Sequence, residues 1–501
     1  MTDGSYDLLV IGGGVNGAGI ARDAAGRGLS VCLVEQDDLA AHTSSASTKL
    51  IHGGLRYLEQ GELRLVREAL AERERLLAIA PHIVRTQRFV LPYVDGLRPR
   101  WLLRLGLFVY DHAGGRERLA ASSSTRLSGN ALGAPLRDSI TDGFEYSDCT
   151  VDDSRLVVLN ALDAAQRGAT ILTRTRLVAA TSEGAAWRIT VQQRDSGARQ
   201  ELRGRALVNA TGAWVNALLE PLGIRPAQQL RLVKGSHLLL KRLYDGDHAY
   251  LLQSADQRVV FAIPYQEQYT LVGTTDTPFN GDPAQVTIDA AETRYLLDCL
   301  NGFLRRPATE ADIVGSYSGV RPLYDDGSEG AAQRVSRDYH LQLQRGIGGA
   351  PALSVYGGKI TTYRRLAEGA LAMLLPLLGR EADDTWTGRE ALPGGDLPDA
   401  DLARFTAHAL ARWPLLPAAM VTRLARQYGT RMSHILGAAR SLEDLGPCFG
   451  GLLSLAEVEY LVAVEWARSA EDILWRRVHL GVAMPQSAVH DLQDAVAQLL
   501  R

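Results

Sequence analysis

The stretch from Tyr6 to Glu35 constrains this chain more than any other. Residues 6–11 form an apolar run of strand length broken only by Asp7, the pattern of a parallel strand covered on both faces. Gly12-x-Gly14-x-x-Gly17 follows directly, and the three glycines serve a tight turn, close backbone approach to a pyrophosphate, and close packing of helix on strand. The N-terminus of the helix then faces the phosphates. A second strand-like run, Val31 to Val34, ends at Glu35, where a carboxylate can accept hydrogen bonds from the hydroxyls of an adenosine ribose. Strand, glycines, helix and acid agree on a dinucleotide site. The acid disfavours a 2′-phosphate, and so NADP; NAD and FAD both stay open.

A chain of 501 residues exceeds one ordinary core, so two or three domains are expected. Hydrophobic content of 46% with 22% charged residues describes a globular protein. Lys+Arg of 54 against Asp+Glu of 57 gives a net charge of -3, which argues against nucleic acid as a partner and leaves any anion to a local cluster. Cys32, Cys149, Cys299 and Cys448 are scattered without metal-type spacing, so no metal is expected and the thiols read as reduced packing residues. The acidic N-terminus runs straight into the first strand, which predicts no signal peptide, and no apolar run reaches the ~18 residues of a membrane span. Lysine occurs only at positions 49, 234, 241 and 359, and three of these flank glycine motifs, where a compact ammonium is not interchangeable with a guanidinium.

Along the chain, residues 43–58 (TSSASTKLIHGGLRYL) are small, hydroxyl-rich and glycine-broken, as suits backbone lying against a flat ligand and its phosphates. Residues 62–79 carry an amphipathic helix. Residues 97–110 mix Trp, Leu and Phe with three arginines in a segment too short to span a bilayer, suited either to a membrane interface or to burial against a neighbouring domain. Asp152 and Asp153 cap a helix expected to run to about Arg167, and strands are expected over Thr170–Val178, Ala186–Gln192 and Glu201–Val208. The last of these enters Asn209-Ala210-Thr211-Gly212, a second strand-to-glycine junction; Val355-Tyr356-Gly357-Gly358-Lys359 makes a third. Runs between 230 and 275 predict an antiparallel sheet roofing the cofactor, Leu392–Asp396 a linker, and the remainder a helical C-terminal domain.

The segments IGGGVNGAGIARDAAGRGLSVCLVE, SSASTKLIHGGLRYLE, EYSDCTVDDSRL, NATGAW, KGSH, GTTD, YSGVRPL and SVYGGKITTYR occur in this order, and together they resemble the FAD-dependent, membrane-associated glycerol-3-phosphate dehydrogenases of aerobic bacterial respiration. The resemblance implies an α/β fold. A Rossmann-like FAD-binding domain would be assembled from 1–80, 150–215 and 345–380, a mixed or antiparallel substrate domain from 81–149 and 216–344, and an all-helical C-terminal domain from 390–501. It implies FAD, with Gly12, Gly14, Gly17 and Glu35 on the ADP half and Ser44, Ser45 and Ser47 beside the pyrophosphate and ribityl chain. Ala210, Thr211 and Gly212 would lie under the cofactor, and Gly358, Lys359, Ile360 and Thr361 near the isoalloxazine.

The implied substrate, glycerol 3-phosphate, has a secondary alcohol and a phosphate dianion. Planar bidentate donors suit the phosphate, and Arg56 with Tyr57 beside it, and Arg337, are the candidates. Arg321 would polarise the oxygen that becomes a ketone, His52 suits proton removal near neutral pH, Lys359 would stabilise reduced flavin or contact the phosphate, and Thr275 would stand at the substrate. Implied partners are a membrane quinone and a peripheral seat on the cytoplasmic face of the inner membrane; a homo-oligomer is compatible with the chain. Competing readings are an oxidase using oxygen, an amino-acid or 2-hydroxy-acid flavin oxidoreductase of the same fold, a flavin-dependent tRNA-modifying enzyme and a non-catalytic binding protein.

Overall fold

A computed structural model describes residues 4–59, 61–94, 98–226, 229–254, 256, 258–325, 338–381 and 385–501. Its first sheet orders the strands His340–Arg345, Pro351–Tyr356, Arg199–Asn209, Ser5–Ile11, Val31–Val34 and Thr170–Leu172. The last five are parallel, and His340–Arg345 runs antiparallel at the edge. Helices Val15–Gly26, Asp153–Gln166 and Tyr363–Leu374 cover one face, where Leu8 and Val10 meet Ala18, Leu156 and Leu366. A meander of Thr175–Glu183 and Ala186–Gln193 continues antiparallel from Arg199–Asn209, and on the opposite face Leu9 and Ile11 join Trp187 and Ile189. Cover on both faces is why the first strand is apolar throughout instead of alternating. The strand expected over Thr170–Val178 is split, because Arg174 sits at φ 51 where the chain leaves the parallel sheet for the meander.

Among the described residues the second sheet has ten strands, antiparallel except where Ala249–Gln253 lies beside Val84–Pro92. Its longest pair is Gln229–Lys241 with Ile313–Asp325. Helix Ala290–Asn301 packs on one face through Leu296 and Leu300 against Leu238, Tyr250 and Val260. Helices Leu63–Ile79 and Arg100–Ala113 pack on the other through Val66, Leu70, Leu107 and Tyr110 against Phe89 and Leu239. The short strand Leu50–Ile51 pairs with Asp142–Val151 in this second sheet.

Residues 402–499 build helices Leu402–Arg412, Ala418–Tyr428, Leu455–Val464, Ala470–Arg476 and Gln486–Leu499 around a separate core of Met420, Leu424, Leu461, Ile473 and Leu492. The segment Leu392–Asp396, expected to be a linker, is packed instead. Leu392 is buried and donates its N–H to Ile79 O at 2.8 Å, and a Cβ on Gly394 would stand 2.1 Å from Tyr428 O.

Candidate active site

A cavity of about 560 Å³ is lined from both sheets, and the three strand-to-glycine junctions converge on it. Gly12 adopts φ 110, and a Cβ there would stand 2.5 Å from Ala210 O; a Cβ on Gly17 would meet Gly12 O at 1.9 Å. The first two junctions therefore touch backbone to backbone. Asn16 brings in the third by donating from Nδ2 to Gly357 O at 3.1 Å. Gly12, Gly14, Ala210, Thr211, Gly212, Gly358, Ile360 and Thr361 all line the cavity, whereas Gly17 is buried beneath it.

Glu35 is part of this lining. Its carboxylate accepts the N–H of Gly13 at 2.6 Å and of Asp37 at 2.8 Å. Burial pushes this carboxyl upward, opposed by those two N–H groups and by His42. Thr175 donates its N–H to Glu35 O at 2.7 Å, which places the lining residues Thr175, Arg176 and Leu177 beside the acid. Residues 42–49 then cross between the sheets, and almost every polar group in them is engaged. Thr43 donates to Val320 O at 2.7 Å, Ser44 Oγ accepts the Val15 N–H at 3.0 Å, and Ser47 donates to Asp153 at 2.7 Å. Lys49, at φ 58, pairs with Asp153 at 2.7 Å. Ser44 and Ser47 line the cavity; Ser45 does not, and its hydroxyl donates to His42 O at 3.2 Å.

The same lining collects the polar candidates His52, Tyr57, Arg321 and Lys359. The Lys359 ammonium lies 4.1 Å from the centre of the Tyr57 ring, a cation–π contact between two residues of the lining. His52 donates its backbone N–H to Thr361 Oγ1 at 3.4 Å. Arg321 donates to Thr275 O at 2.8 Å and faces Asp276 at 3.6 Å. The Thr275 side chain, expected at the substrate, is not there. Thr275 is buried outside the lining, with its hydroxyl accepting the Ser236 N–H and donating to Glu292 at 2.7 Å. Its carbonyl, by contrast, seats Arg321. Arg337 lies outside the described residues, and of Arg56 only the backbone is described.

His237, whose KGSH motif carries no mark of its own that it belongs to the site, also lines the cavity. It stacks on Tyr317 at 4.7 Å, and its Nε2 bonds Thr48 Oγ1 at 2.9 Å. Burial, with Arg321 and Lys49 nearby, pulls its pKa down to about 3, so the ring is neutral at physiological pH. Lys234 of the same motif points away, to Asp289 and Glu292 at 3.0 and 2.8 Å, so a lysine beside a glycine was not by itself a sign of the site.

An acid oriented for a ribose, a glycine cradle beneath a helix N-terminus, and cationic side chains with a histidine fit a flavin dinucleotide and a phosphorylated alcohol. Fold and site thus define a dinucleotide-dependent oxidoreductase. Residues 7–364 match the FAD dependent oxidoreductase family, and residues 385–501 match the C-terminal domain of alpha-glycerophosphate oxidase. The chain belongs to the FAD-dependent oxidoreductase family. It is 51% identical to a glycerol-3-phosphate dehydrogenase of Pseudomonas aeruginosa, over 96% of this chain and 93% of that one. It is 48% identical to a D-erythritol 1-phosphate dehydrogenase of Brucella abortus, over 94% and 93%. A crystal structure of the Bacillus halodurans glycerol-3-phosphate dehydrogenase complexed with FAD superposes with a TM-score of 0.77 at 27% identity, covering 99% of this chain and 90% of that one.

Proposed function

We propose that this protein oxidises sn-glycerol 3-phosphate to dihydroxyacetone phosphate at a bound FAD and passes the electrons to a membrane quinone. The observation that carries the reading is one cavity whose lining brings Glu35 together with His52, Arg321, Lys359 and Tyr57. FAD supplies the hydride acceptor. Gly12, Gly14, Ala210–Gly212 and Gly358–Thr361 would hold it through backbone, and Glu35 through its ribose. Lys359, with Arg56 and Arg337, recognises the phosphate as the fixed positive charge a dianion needs. Arg321, held by the Thr275 carbonyl, aims at the substrate oxygen as it gains carbonyl character. His52 takes the hydroxyl proton. His237 stays neutral beside Arg321 and adds no competing charge.

The membrane reading rests on helix Arg100–Ala113. It buries Leu103, Leu107 and Tyr110, and exposes Trp101, Leu102, Leu105 and Phe108 at 41 to 68%. A second apolar stripe next to Arg98, Arg100 and Arg104 suits the headgroup region of an anionic bilayer. Among the described residues no helix is long and apolar enough to cross a membrane. The seat proposed for this stripe is peripheral, on the cytoplasmic face of the inner membrane.

The test is an anaerobic titration of the purified protein with sn-glycerol 3-phosphate, followed by a soluble quinone. Bleaching of the flavin band that quinone reverses faster than oxygen is the expected result. No bleaching with flavin bound would reject the substrate; bleaching by D-erythritol 1-phosphate alone would assign the longer polyol. Reversal by oxygen as fast as by quinone would make the protein an oxidase.

A further inference from the structure

Two walls of the cavity are tied to one short helix of the C-terminal unit. The first wall is the segment after Glu35, of which Gln36, Ala40, Ala41 and His42 face the cavity. Asp38 turns the other way and is buried. It accepts from Arg476 Nε at 2.7 Å and from Arg477 Nη1 and Nη2 at 2.9 and 2.8 Å. The second wall is Thr175–Leu177, and the residue before it, Arg174, donates to both oxygens of Asp472 at 2.9 and 3.2 Å. Asp472 and Arg476 belong to helix Ala470–Arg476, Arg477 follows it, and Asp472 accepts from Arg476 at 2.5 Å. Arg477 also donates to Glu465 O at 2.7 Å, and Glu465 pairs with Arg155 of helix Asp153–Gln166.

We infer that Asp38, Arg174, Asp472, Arg476 and Arg477 are positioning residues for the cofactor, and that the C-terminal helical unit holds the ADP half of FAD by setting the spacing of these two walls. The inference rests on the reading of the cavity as an FAD site. Buried ion pairs contribute little net stability relative to apolar replacements, but they can specify one arrangement. The arrangement specified here is where Glu35 and Thr175–Leu177 stand around the ribose. Forked guanidinium–carboxylate bonds fix both distance and direction, which a packed apolar contact would not.

The test measures FAD affinity by flavin fluorescence on reversibly FAD-depleted full-length protein, with ADP as a competing ligand, beside thermal unfolding of the apoprotein. Asp38→Asn is expected to raise the FAD Kd at least tenfold and Arg174→Gln several-fold, with ADP weakened in parallel. The KM for sn-glycerol 3-phosphate at saturating FAD should not change. His490→Gln, on helix Gln486–Leu499 of the same unit with its side chain 78% exposed and touching none of these five residues, should leave FAD affinity as it is. Unchanged FAD and ADP affinity in both wall variants, with only a lower apoprotein Tm, would overturn the inference and make the network merely structural. If Asp38→Asn does not fold, Arg174→Gln decides alone. Wild-type protein that binds no FAD would remove the cofactor reading itself, an outcome distinct from a wild-type that binds FAD and variants that bind it equally well.

Discussion

Arg321 owes its place to a residue with no side chain. Its guanidinium lies against the bare backbone of Gly235, where a Cβ would come 2.4 Å from Nη2 and 2.9 Å from Thr274 Oγ1. The atoms that would clash are ends of side chains, so Gly235→Ala should fold normally and push the guanidinium off its seat on the Thr275 carbonyl. The expected result is a fall in kcat/KM for sn-glycerol 3-phosphate on the order of 10²-fold, matching Arg321→Ala, with FAD content and Tm unchanged. Loss of flavin in Gly235→Ala would assign this strand to the cofactor instead. His52→Gln should lower kcat by roughly 10²–10⁴-fold while the flavin spectrum persists, as removal of a general base does; a spectrum lost with the rate would mean that His52 packs on the flavin and moves no proton. Which motifs face the cavity could be read only in part from the residues: His52 and Lys359 adjoin the glycine pairs Gly53-Gly54 and Gly357-Gly358, and Arg321 stands two positions after Gly319, but Leu50, Ile51 and Val320 beside them are buried in the core. Which way each side chain points could not be read. Thr275 lies two residues past the end of strand Tyr269–Gly273, where its side chain could have turned either way, and Glu292, seventeen positions on, decides it.

At the scale of elements, helix Arg100–Ala113 serves two interfaces. Its inner face reaches the active-site loop, since the Tyr110 hydroxyl accepts the Gly53 N–H at 2.7 Å and donates to Asp148 at 2.8 Å. Asp148 is paired with Arg73 at 2.7 Å, yet burial still pushes its carboxyl up to about 6. Tyr110→Phe leaves the buried Gly53 N–H without its acceptor, at a cost of about 1–3 kcal/mol, and loosens the residue next to His52. Turnover should fall several-fold and Tm by a few degrees, read by steady-state kinetics and calorimetry; a lower Tm at wild-type turnover would detach the helix from the chemistry. Its outer face predicts a separable effect. Trp101→Ser with Phe108→Ser should abolish co-sedimentation with anionic vesicles and leave turnover with a soluble acceptor dye intact; vesicle binding equal to wild type would end the membrane reading. The strand-to-glycine junctions were legible at this scale because turn, phosphate approach and helix start are local. The sequence left membrane contact and burial against a neighbour as rivals for residues 97–110. In the structure, alternate faces of the helix turn inward and outward.

At the scale of the whole molecule, what joins the parts is made of contacts that no local pattern contains. Lys49 with Asp153, Arg155 with Glu465, and Asp38 with Arg476 and Arg477 are separated by 104, 310 and more than 430 residues, and composition shows them only as an excess of arginine. Two buried histidines lie at such seams. His237 stands between the 42–49 segment and the antiparallel sheet. His82 sits beside Gly394 and Gly429 of the C-terminal unit with neither ring nitrogen bonded, and burial together with Arg155 pulls its pKa down to about 3. Both rings are held neutral in the fold and take up a proton near pH 6.5 when the chain unfolds. Between pH 6.5 and 3 the unfolded state therefore binds more protons than the folded one. Stability is full above pH 6.5 and is lost as the pH falls through that window, by on the order of 1 kcal/mol per pH unit for each histidine. Burial raises the carboxyls of Asp23, Glu35, Asp148 and Asp153, which acts in the opposite sense, so the histidine contribution has to be isolated as a difference between variants. His82→Leu removes the titrating group and two unbonded nitrogens together. The urea-unfolding free energy of this variant should lie above wild type at pH 5, and its slope between pH 6 and 4 should be shallower by about 1 kcal/mol per unit. An identical slope in the two proteins would mean that the imidazole is protonated inside the fold, with Asp152 as its counter-charge.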